Sequence, residues 1–169
     1  MEIRRIIGPT ESELEGLAQV LMDCVEGGAS VSFMQPMTRE KALDFWRGVA
    51  ESAARGERVL LAAVEQGNVL GTVQVILGQP ENQPHRGDVA KMLVARAARR
   101  RGLGEALMRA AESAAIESGK TLLVLDTASD EARRLYERCG WQRVGVIPDY
   151  ALLPQGGYCD TAYYYKKVG

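Results

Sequence analysis

The chain has 169 residues, which is about the size of one domain. Hydrophobic residues make up 46% of it and charged residues 25%, a mixture that excludes a disordered protein. Its 21 lysines and arginines are balanced by 22 aspartates and glutamates, so the net charge is −1 and argues against nucleic acid as a partner. No apolar run approaches the roughly 18 residues that cross a membrane, so we expect no membrane association.

The cysteines and the histidine indicate a reduced protein without a metal site. The three cysteines, Cys24, Cys139 and Cys159, are odd in number and show no C-x-x-C spacing. The first residues, MEIRRI, lack the apolar stretch of a secretory signal peptide. With a single histidine in the chain, a zinc site is not expected. These features predict a cytoplasmic protein with free thiols and no metal.

The first half of the chain predicts a strand, two helices and a hairpin. Thr10 and Glu13 form a capping-box pattern, and apolar residues follow at helical spacing. Thr38 can cap a second helix in the same way. A continuous apolar run, 59–64, is typical of a buried strand, and a turn connects it to a partner strand. The predicted ranges are strand 3–7, a helix after Thr10 to 26, a helix after Thr38 to 54, strand 59–64 and strand 69–77.

The second half alternates strands and helices, with a loop rich in glycine and proline before the last strand. The predicted ranges are strand 88–94, helix 103–119, strand 121–126, helix 130–139, strand 141–147, loop 148–160 and strand 161–168. This order predicts one α/β domain over residues 1–169, with a mixed sheet of about seven strands and about four helices on both faces. Strands 88–94 and 121–126 should be parallel, because a helix connects them.

The segment after strand 88–94 is the most informative. It carries four arginines, Arg96, Arg99, Arg100 and Arg101. Gly102-x-Gly104 then opens the next helix, and glycine there leaves room for a ligand to approach the backbone. The first amides of a helix have no partner within the helix, and the helix dipole favours an anion there. With arginines added, the segment predicts a phosphate or pyrophosphate site.

Other phosphate-binding motifs fit this segment less well. A P-loop needs G-x-x-x-x-G-K-[ST], which is absent, and a dinucleotide fingerprint needs a third glycine where this chain has Leu107. A solvated arginine cluster before a glycine-initiated helix remains an alternative.

Two motifs resemble those of a known family. Arg99-x-x-Gly102-x-Gly104 matches the pyrophosphate loop [QR]-x-x-G-x-[GA] of the GNAT acyl-CoA-dependent N-acetyltransferases. The segment from Ala132 to Trp141, ARRLYERCGW, matches the family's A-x-x-[LF]-Y-x-x-x-G-[FW] motif, and a predicted strand separates the two. The resemblance covers essentially the whole chain, most firmly residues 88–147. It implies a GNAT fold with a splayed parallel strand pair and acetyl-CoA as the acyl donor.

Within this family the chain is most similar to the tabtoxin-resistance type. Four stretches carry that likeness: 28–34, 85–91, 125–127 and 143–150. The likeness implies transfer of an acetyl group to the amine of a small molecule, such as an amino-acid-like toxin or antibiotic. A protein N-terminal or lysine acetyltransferase of the same fold and a non-catalytic acyl-CoA-binding module are the alternatives.

The resemblance also implies which residues bind the cofactor. The amide of Met92 would face the thioester carbonyl and that of Val94 the pantetheine arm; the alternative is that both are ordinary core residues. The implied contacts are Met92, Leu93, Val94, Arg99, Arg100, Arg101, Gly102, Leu103, Gly104, Glu105, Arg133 and Tyr136.

Three side chains are the candidates for proton transfer. Tyr136 matches the tyrosine that protonates the departing thiolate, and a phenol is still protonated at neutral pH. Asp88 and Asp126 are the candidate bases. The alternative for the tyrosine is a packing role in the core. The alternative for each aspartate is a solvated charge at the end of a strand.

Two loops, 27–35 and 148–160, are expected to line the acceptor pocket, because the resemblance places them there. The candidate acceptor-binding residues are Phe33, Met34, His85, Asp149 and Tyr150. Lys91 is interpreted as structural, since it alternates with its neighbours and faces away from them. The last strand, with Tyr163-Tyr164-Tyr165, could form an edge contact in a homodimer.

Overall fold

Seven strands and four α-helices follow one another in the computed structural model, which describes all 169 residues. Their bounds are β1 Glu2–Arg5, α1 Glu11–Glu26, α2 Arg39–Ala54, β2 Arg58–Glu65, β3 Asn68–Ile76, β4 Arg86–Val94, α3 Leu103–Glu117, β5 Leu122–Thr127, α4 Asp130–Arg138, β6 Gln142–Leu152 and β7 Tyr158–Lys167. The strands form one sheet in the order β1-β2-β3-β4-β5-β7-β6. Only β4 and β5 are parallel, so the predicted mixed α/β fold and its parallel pair are confirmed.

Side-chain caps fix the starts of the first two helices where the sequence predicts them. The Thr10 hydroxyl accepts from the Glu13 amide at 3.1 Å, and the Glu13 carboxylate accepts from the Thr10 amide at 2.8 Å. Thr38 accepts from the Lys41 amide at 3.2 Å and begins α2. Each cap satisfies an amide that the helix leaves without a partner.

The sheet is buried on both faces. Val59 and Leu61 of β2 belong to the core on the α3 side of the sheet, whereas Leu60 and Ala62 belong to the core shared with α1 and α2, in which Trp46 is fully buried. This two-sided burial explains why residues 59–64 form an uninterrupted apolar run. None of the helices has the length and apolarity needed to span a membrane.

β4 and β5 separate soon after they meet. They pair only from Arg86 to Asp88, opposite Leu122 to Val124. Beyond Asp88, β4 stays paired with β3 as far as Val94, while β5 stays paired with β7 as far as Thr127. The two strands therefore diverge between fixed neighbours and leave a gap in the sheet.

A β-bulge lies on β4 inside this gap. Thr72 of β3 pairs with Leu93 and Gln74 pairs with Ala90, so β4 has one residue more than β3 over this stretch. Lys91 lies in the bulge with φ 50°, a left-handed conformation that is uncommon for residues other than glycine.

The predicted loop over residues 148–160 is wrong, because most of it belongs to the β6–β7 hairpin. β6 continues to Leu152 and β7 begins at Tyr158. β6 is the edge strand of the sheet, so the missing amide of Pro148 is tolerated there. Most of its side chains are exposed, so the strand has no alternating apolar pattern that would have revealed it. Gly156 and Gly157, both with positive φ, form the turn.

Candidate active site

The gap between β4 and β5 opens into a cleft of about 440 Å³. One wall is β4 from Val89 to Val94, and the other is the end of β5 with the start of α4. The α1–α2 loop borders one end of the cleft with Ala29 to Ser32, and the start of α3 borders the other.

The backbone of Val94 faces this cleft. Its carbonyl oxygen accepts from Arg99 Nε at 3.2 Å and from Cys24 Sγ at 3.5 Å, whereas the next amide, that of Ala95, donates to Leu70 of β3 at 2.9 Å. Hydrogen-bonding groups alternate along a strand, so the Val94 amide points away from β3 and into the gap. The same alternation places the Met92 amide on this edge. That the two amides bind a cofactor, as the sequence predicts, stays a prediction.

The start of α3 supplies further free amides. Gly102 is the N-cap with φ 79°, and the first helical bond runs from the Ala106 amide to the Gly102 carbonyl. The amides of Leu103, Gly104 and Glu105 are therefore left without helical partners at the cleft. This arrangement is a general anion-binding geometry.

The two glycines are required for different reasons. A Cβ on Gly102 would meet nothing within 4 Å, so its left-handed φ is what favours glycine. A Cβ on Gly104 would lie 2.9 Å from Leu135 Cδ2, so glycine there lets α3 approach α4. The sequence predicts that both glycines leave room for a ligand. The structure adds a role in helix packing for Gly104.

The arginines divide into two groups. Arg99 and Arg100 line the cleft, as expected for phosphate contacts. Arg101 and Arg133 do not. Arg101 binds Glu65 through two hydrogen bonds of 2.8 and 2.9 Å, and Arg133 lies 3.6 Å from Asp130 on α4. Arg138, which the sequence analysis did not select, lines the cleft instead.

Tyr136 lies on the cleft wall. Tyr136 is only 5% exposed, and its ring packs against Trp141 and Tyr164 at centroid distances of 6.2 and 6.1 Å. Burial raises the pKa of Tyr136 well above its usual value, and the nearby Asp126 carboxylate adds to that rise. The phenol is therefore protonated at neutral pH and has a proton to donate.

The two candidate bases lie in different surroundings. Asp126 lines the cleft and accepts a hydrogen bond from the buried Thr161 hydroxyl at 2.8 Å. Asp88 is outside the cleft lining, where it forms an ion pair with Arg86 and accepts from Gln79 Nε2 at 3.2 Å. The structure thus brings Asp126, and not Asp88, to the gap between the strands.

The two loops expected at the acceptor end do meet. The Gln35 amide donates to the Pro154 carbonyl at 2.9 Å, and Cys159 Sγ donates to Ser30 Oγ at 3.4 Å. The β6–β7 hairpin therefore braces the α1–α2 loop where Ala29 to Ser32 border the cleft.

None of the five candidate acceptor-binding side chains lines the cleft itself. Phe33 packs edge-to-face on Phe45 at 5.1 Å, and Met34 is 39% exposed. The Tyr150 hydroxyl bonds that of Tyr163 at 2.9 Å, and the Asp149 amide donates to Asp160 at 3.0 Å. The His85 carbonyl accepts from the amides of Thr121 and Leu122 at 2.8 and 3.2 Å, which ties its loop to β5.

Lys91 is the cleft residue that the sequence analysis set aside. Strand alternation would turn its side chain away from those of Ala90 and Met92. The bulge interrupts this alternation, and Lys91 lines the cleft together with both neighbours. Its ammonium donates to Ser32 Oγ at 3.1 Å and lies 5.9 Å from the Phe45 ring centroid. No local sequence signal marks this bulge.

Comparison with known proteins identifies the family to which this chain belongs. The model of the acetyltransferase (GNAT) family matches residues 16–141. A protein of Azospirillum brasilense, described as an uncharacterized N-acetyltransferase in the hisH-hisA intergenic region, is 30% identical over 139 residues, which are 81% of this chain and 80% of that protein.

Two solved structures illustrate the similarity of fold. A ribosomal-protein-alanine N-acetyltransferase from Brucella melitensis superposes with a TM-score of 0.83 at 22% identity, covering 99% of this chain and all of that one (100%). A GNAT superfamily phosphinothricin acetyltransferase from Sinorhizobium meliloti, solved in complex with acetyl-CoA, gives a TM-score of 0.81 at 16% identity, covering 99% of this chain and 88% of that one.

The conformational role of Gly102 can be tested by stability. Gly102 and Gly48 both have open space where a Cβ would lie, but only Gly102 has a positive φ. We expect Gly102→Ala to lower the free energy of unfolding by about 1 kcal/mol. Gly48→Ala, in the middle of α2, should raise it by about 0.5–1 kcal/mol. Urea denaturation measures both, and equal shifts in the two variants would contradict the assignment.

Proposed function

Since this chain belongs to the acetyltransferase (GNAT) family, we propose that it transfers an acetyl group from acetyl-CoA to the amine of a small molecule. One observation carries the proposal: the free backbone donors of Val94 and of the α3 start lie in the same cleft. When bound, acetyl-CoA would supply an acetyl group activated as a thioester.

The residues present fit such a donor. The amides of Leu103 to Glu105, with Arg99 and Arg100 beside them, would hold the pyrophosphate. The Val94 amide would bind the pantetheine arm, and the Met92 amide would stabilise the charge that develops on the carbonyl oxygen. Leu93 and Tyr136 complete the proposed contacts along the cleft. Arg101 and Arg133 each have an acidic neighbour of their own. We therefore propose that they attract the cofactor's phosphates only as more distant positive charges.

Arg100 and Arg101 form a matched pair for testing the phosphate contact. Each change removes one positive charge, but only Arg100 borders the cleft. We expect Arg100→Ala to weaken acetyl-CoA binding about 10- to 100-fold, the usual effect of losing one charge-assisted hydrogen bond. Arg101→Ala should change the Kd less than twofold, which is about 0.4 kcal/mol. Calorimetry with acetyl-CoA measures both, and equal losses would argue against a specific phosphate contact.

Tyr136 would act as the acid in this reaction. As the amine nitrogen bonds to the acetyl carbon and the carbon–sulfur bond breaks, the phenol would give its proton to the departing sulfur. The buried hydroxyl is suited to this step because it is protonated at neutral pH and lines the cleft.

We therefore expect Tyr136→Phe to lower kcat about 100-fold while leaving the Kd for acetyl-CoA nearly unchanged. Tyr165→Phe is the control, because it removes a hydroxyl that bonds Gln142 at 2.6 Å outside the cleft. Steady-state rates of both variants, followed by thiol release, decide the question. A kcat for Tyr136→Phe equal to that of the control would remove Tyr136 from the mechanism.

Asp126 is the better placed of the two bases. Its carboxylate borders the cleft, so it could take the proton that the amine loses, directly or through water. Asp88 would have to act from outside the cleft while it holds Arg86 and Gln79. A structural role for Asp88, at the point where β4 and β5 begin to separate, fits these contacts better than proton abstraction.

The two aspartates predict different losses. We expect Asp126→Asn to lower kcat about 100-fold or more, as for the removal of a general base. Asp88→Asn should lower the melting temperature, because it breaks the pair with Arg86, and should leave most of kcat. Rates on the folded fraction of each variant test this. Full activity of Asp126→Asn would exclude Asp126 as the base.

A small acceptor fits the structure better than a protein. The β6–β7 hairpin contacts the α1–α2 loop through Gln35 and Pro154, so two segments of the chain already meet beside the proposed acceptor end. The likeness to tabtoxin-resistance enzymes also favours a small amine as the acceptor. Phe33, Met34, His85, Asp149 and Tyr150 remain proposed acceptor contacts, at the rim of the site and not in its wall.

An amine panel with detection of released CoA thiol tests the function as a whole. Transfer to free amines supports the proposal, transfer only to peptides supports a protein acetyltransferase, and acetyl-CoA binding without any transfer supports a non-catalytic module. The three free thiols fit a cytoplasmic enzyme. The edge contact expected of the last strand is wrong, because β7 is paired on both sides, with β5 and with β6. The exposed apolar side chains of the edge strand β6 form the surface on which we would place a homodimer.

A further inference from the structure

We infer that the acceptor amine carries a carboxylate close to its amino group, and that Lys91 binds this carboxylate. The inference rests on the proposed acetyl transfer and names the class of acceptor. It assigns Lys91 as a specificity-determining residue of the cleft.

The backbone holds Lys91 in an unusual conformation at the acceptor end. Lys91 and Ser32 both have left-handed φ values, 50° and 77°, and their side chains meet, with Nζ to Oγ at 3.1 Å. A non-glycine residue in this region is strained, and such residues cluster at functional sites. Two of them in contact beside the acceptor loop indicate that the ammonium position is imposed by the fold.

The Lys91 ammonium is under-satisfied for a half-buried charge. It has three N–H donors, and the Ser32 hydroxyl accepts from one of them. Two other lysines with low exposure have more partners: the half-buried Lys166 pairs with Glu112 and the Cys139 carbonyl, and the buried Lys120 donates to the carbonyls of Leu77 and Pro84. Lys91 forms no ion pair, so a ligand anion in the cleft would meet a cation with free donors.

The charges around Lys91 are of both signs. Burial lowers the pKa of Lys91, the Asp126 carboxylate raises it, and the positive charge of Arg58 lowers it by a smaller amount. Asp126 lines the same cleft without pairing with Lys91. The cleft thus has a cation on one wall and an anion on the other. An α-amino acid matches both, with its amino group toward Asp126 and its carboxylate toward Lys91.

The test compares amines with and without the carboxylate. The probes are the twenty proteinogenic L-amino acids, their amides and their decarboxylated amines, assayed by thiol release from acetyl-CoA. For the acceptor that reacts best, we expect the acid to exceed its amide in kcat/KM by about 10- to 100-fold, as for one charge-assisted hydrogen bond. The difference should lie mainly in KM, because the carboxylate contact exists before the reaction as well as during it.

Lys91→Met keeps the length and apolar stem of the side chain and removes the charge. We expect it to abolish the preference for the acid over the amide, by lowering kcat/KM for the acid and leaving that for the amide almost unchanged. Lys167→Met is the control, because it also removes one lysine charge, and Lys167 is exposed at the end of β7 and outside the cleft. Lys91→Arg should retain part of the preference.

The outcomes separate this inference from the proposed function. If acetyl-CoA fails to bind in calorimetry, the proposed function fails. If acetyl-CoA binds but no carboxylate-bearing amine is acetylated, or if Lys91→Met slows the acid and the amide equally, the inference about Lys91 is overturned. Equal loss on both acceptors would instead indicate a role in the reaction itself. An unchanged Kd for acetyl-CoA in Lys91→Met would confirm that the variant is folded.

Discussion

The separation of β4 from β5 beyond Asp88 is the constraint on which the rest of the site depends. A strand in the middle of a sheet normally pairs on both edges, and a buried amide without a partner costs about 1–3 kcal/mol. Here β3 and β7 hold the two strands apart, because each keeps its own pairing beyond the point of divergence. The edge of β4 that faces the gap is thereby left for a ligand to complete.

The helices then place their charges and free amides around this gap. α3 begins at the end of the loop that follows β4, and the missing Cβ of Gly104 lets Leu135 of α4 pack closely against it. The same packing brings Tyr136 to the cleft wall, with its ring against Trp141 and Tyr164. The sheet, the start of α3 and α4 are therefore coupled, and a change that moves one of them would move the donors of the others.

Features set by neighbours in the sequence could be predicted. The Thr10 cap depends on residues three positions apart, and the buried run of β2 depends on its own composition. The glycine-initiated α3 and the orientation of Tyr136 also follow from short motifs. Each of these is decided within one or two turns of chain, so the sequence contains the information locally.

Features set by distant partners could not be predicted. Arg101 was grouped with the phosphate ligands because the sequence gives no sign that Glu65, 36 positions away, occupies its guanidinium. The hairpin at 148–160 was missed because an exposed edge strand shows no apolar alternation. The bulge at Lys91 depends on the register between β3 and β4, which is decided only when the strands pair.

The two ends of the cleft differ in the groups that would make their contacts. In the proposed function, the cofactor end would rely on backbone amides of Met92, Val94 and the α3 start, which tolerate many side chains. The acceptor end would rely on the side chains of Lys91, Ser32 and Asp126, each of which a single substitution can change. The fold is shared with solved structures at 16–22% sequence identity, and a fold by itself does not fix which molecule a site binds. The identity of the acceptor is therefore expected to depend on the bulge and the loop that faces it, and the pyrophosphate motif carries no information about it.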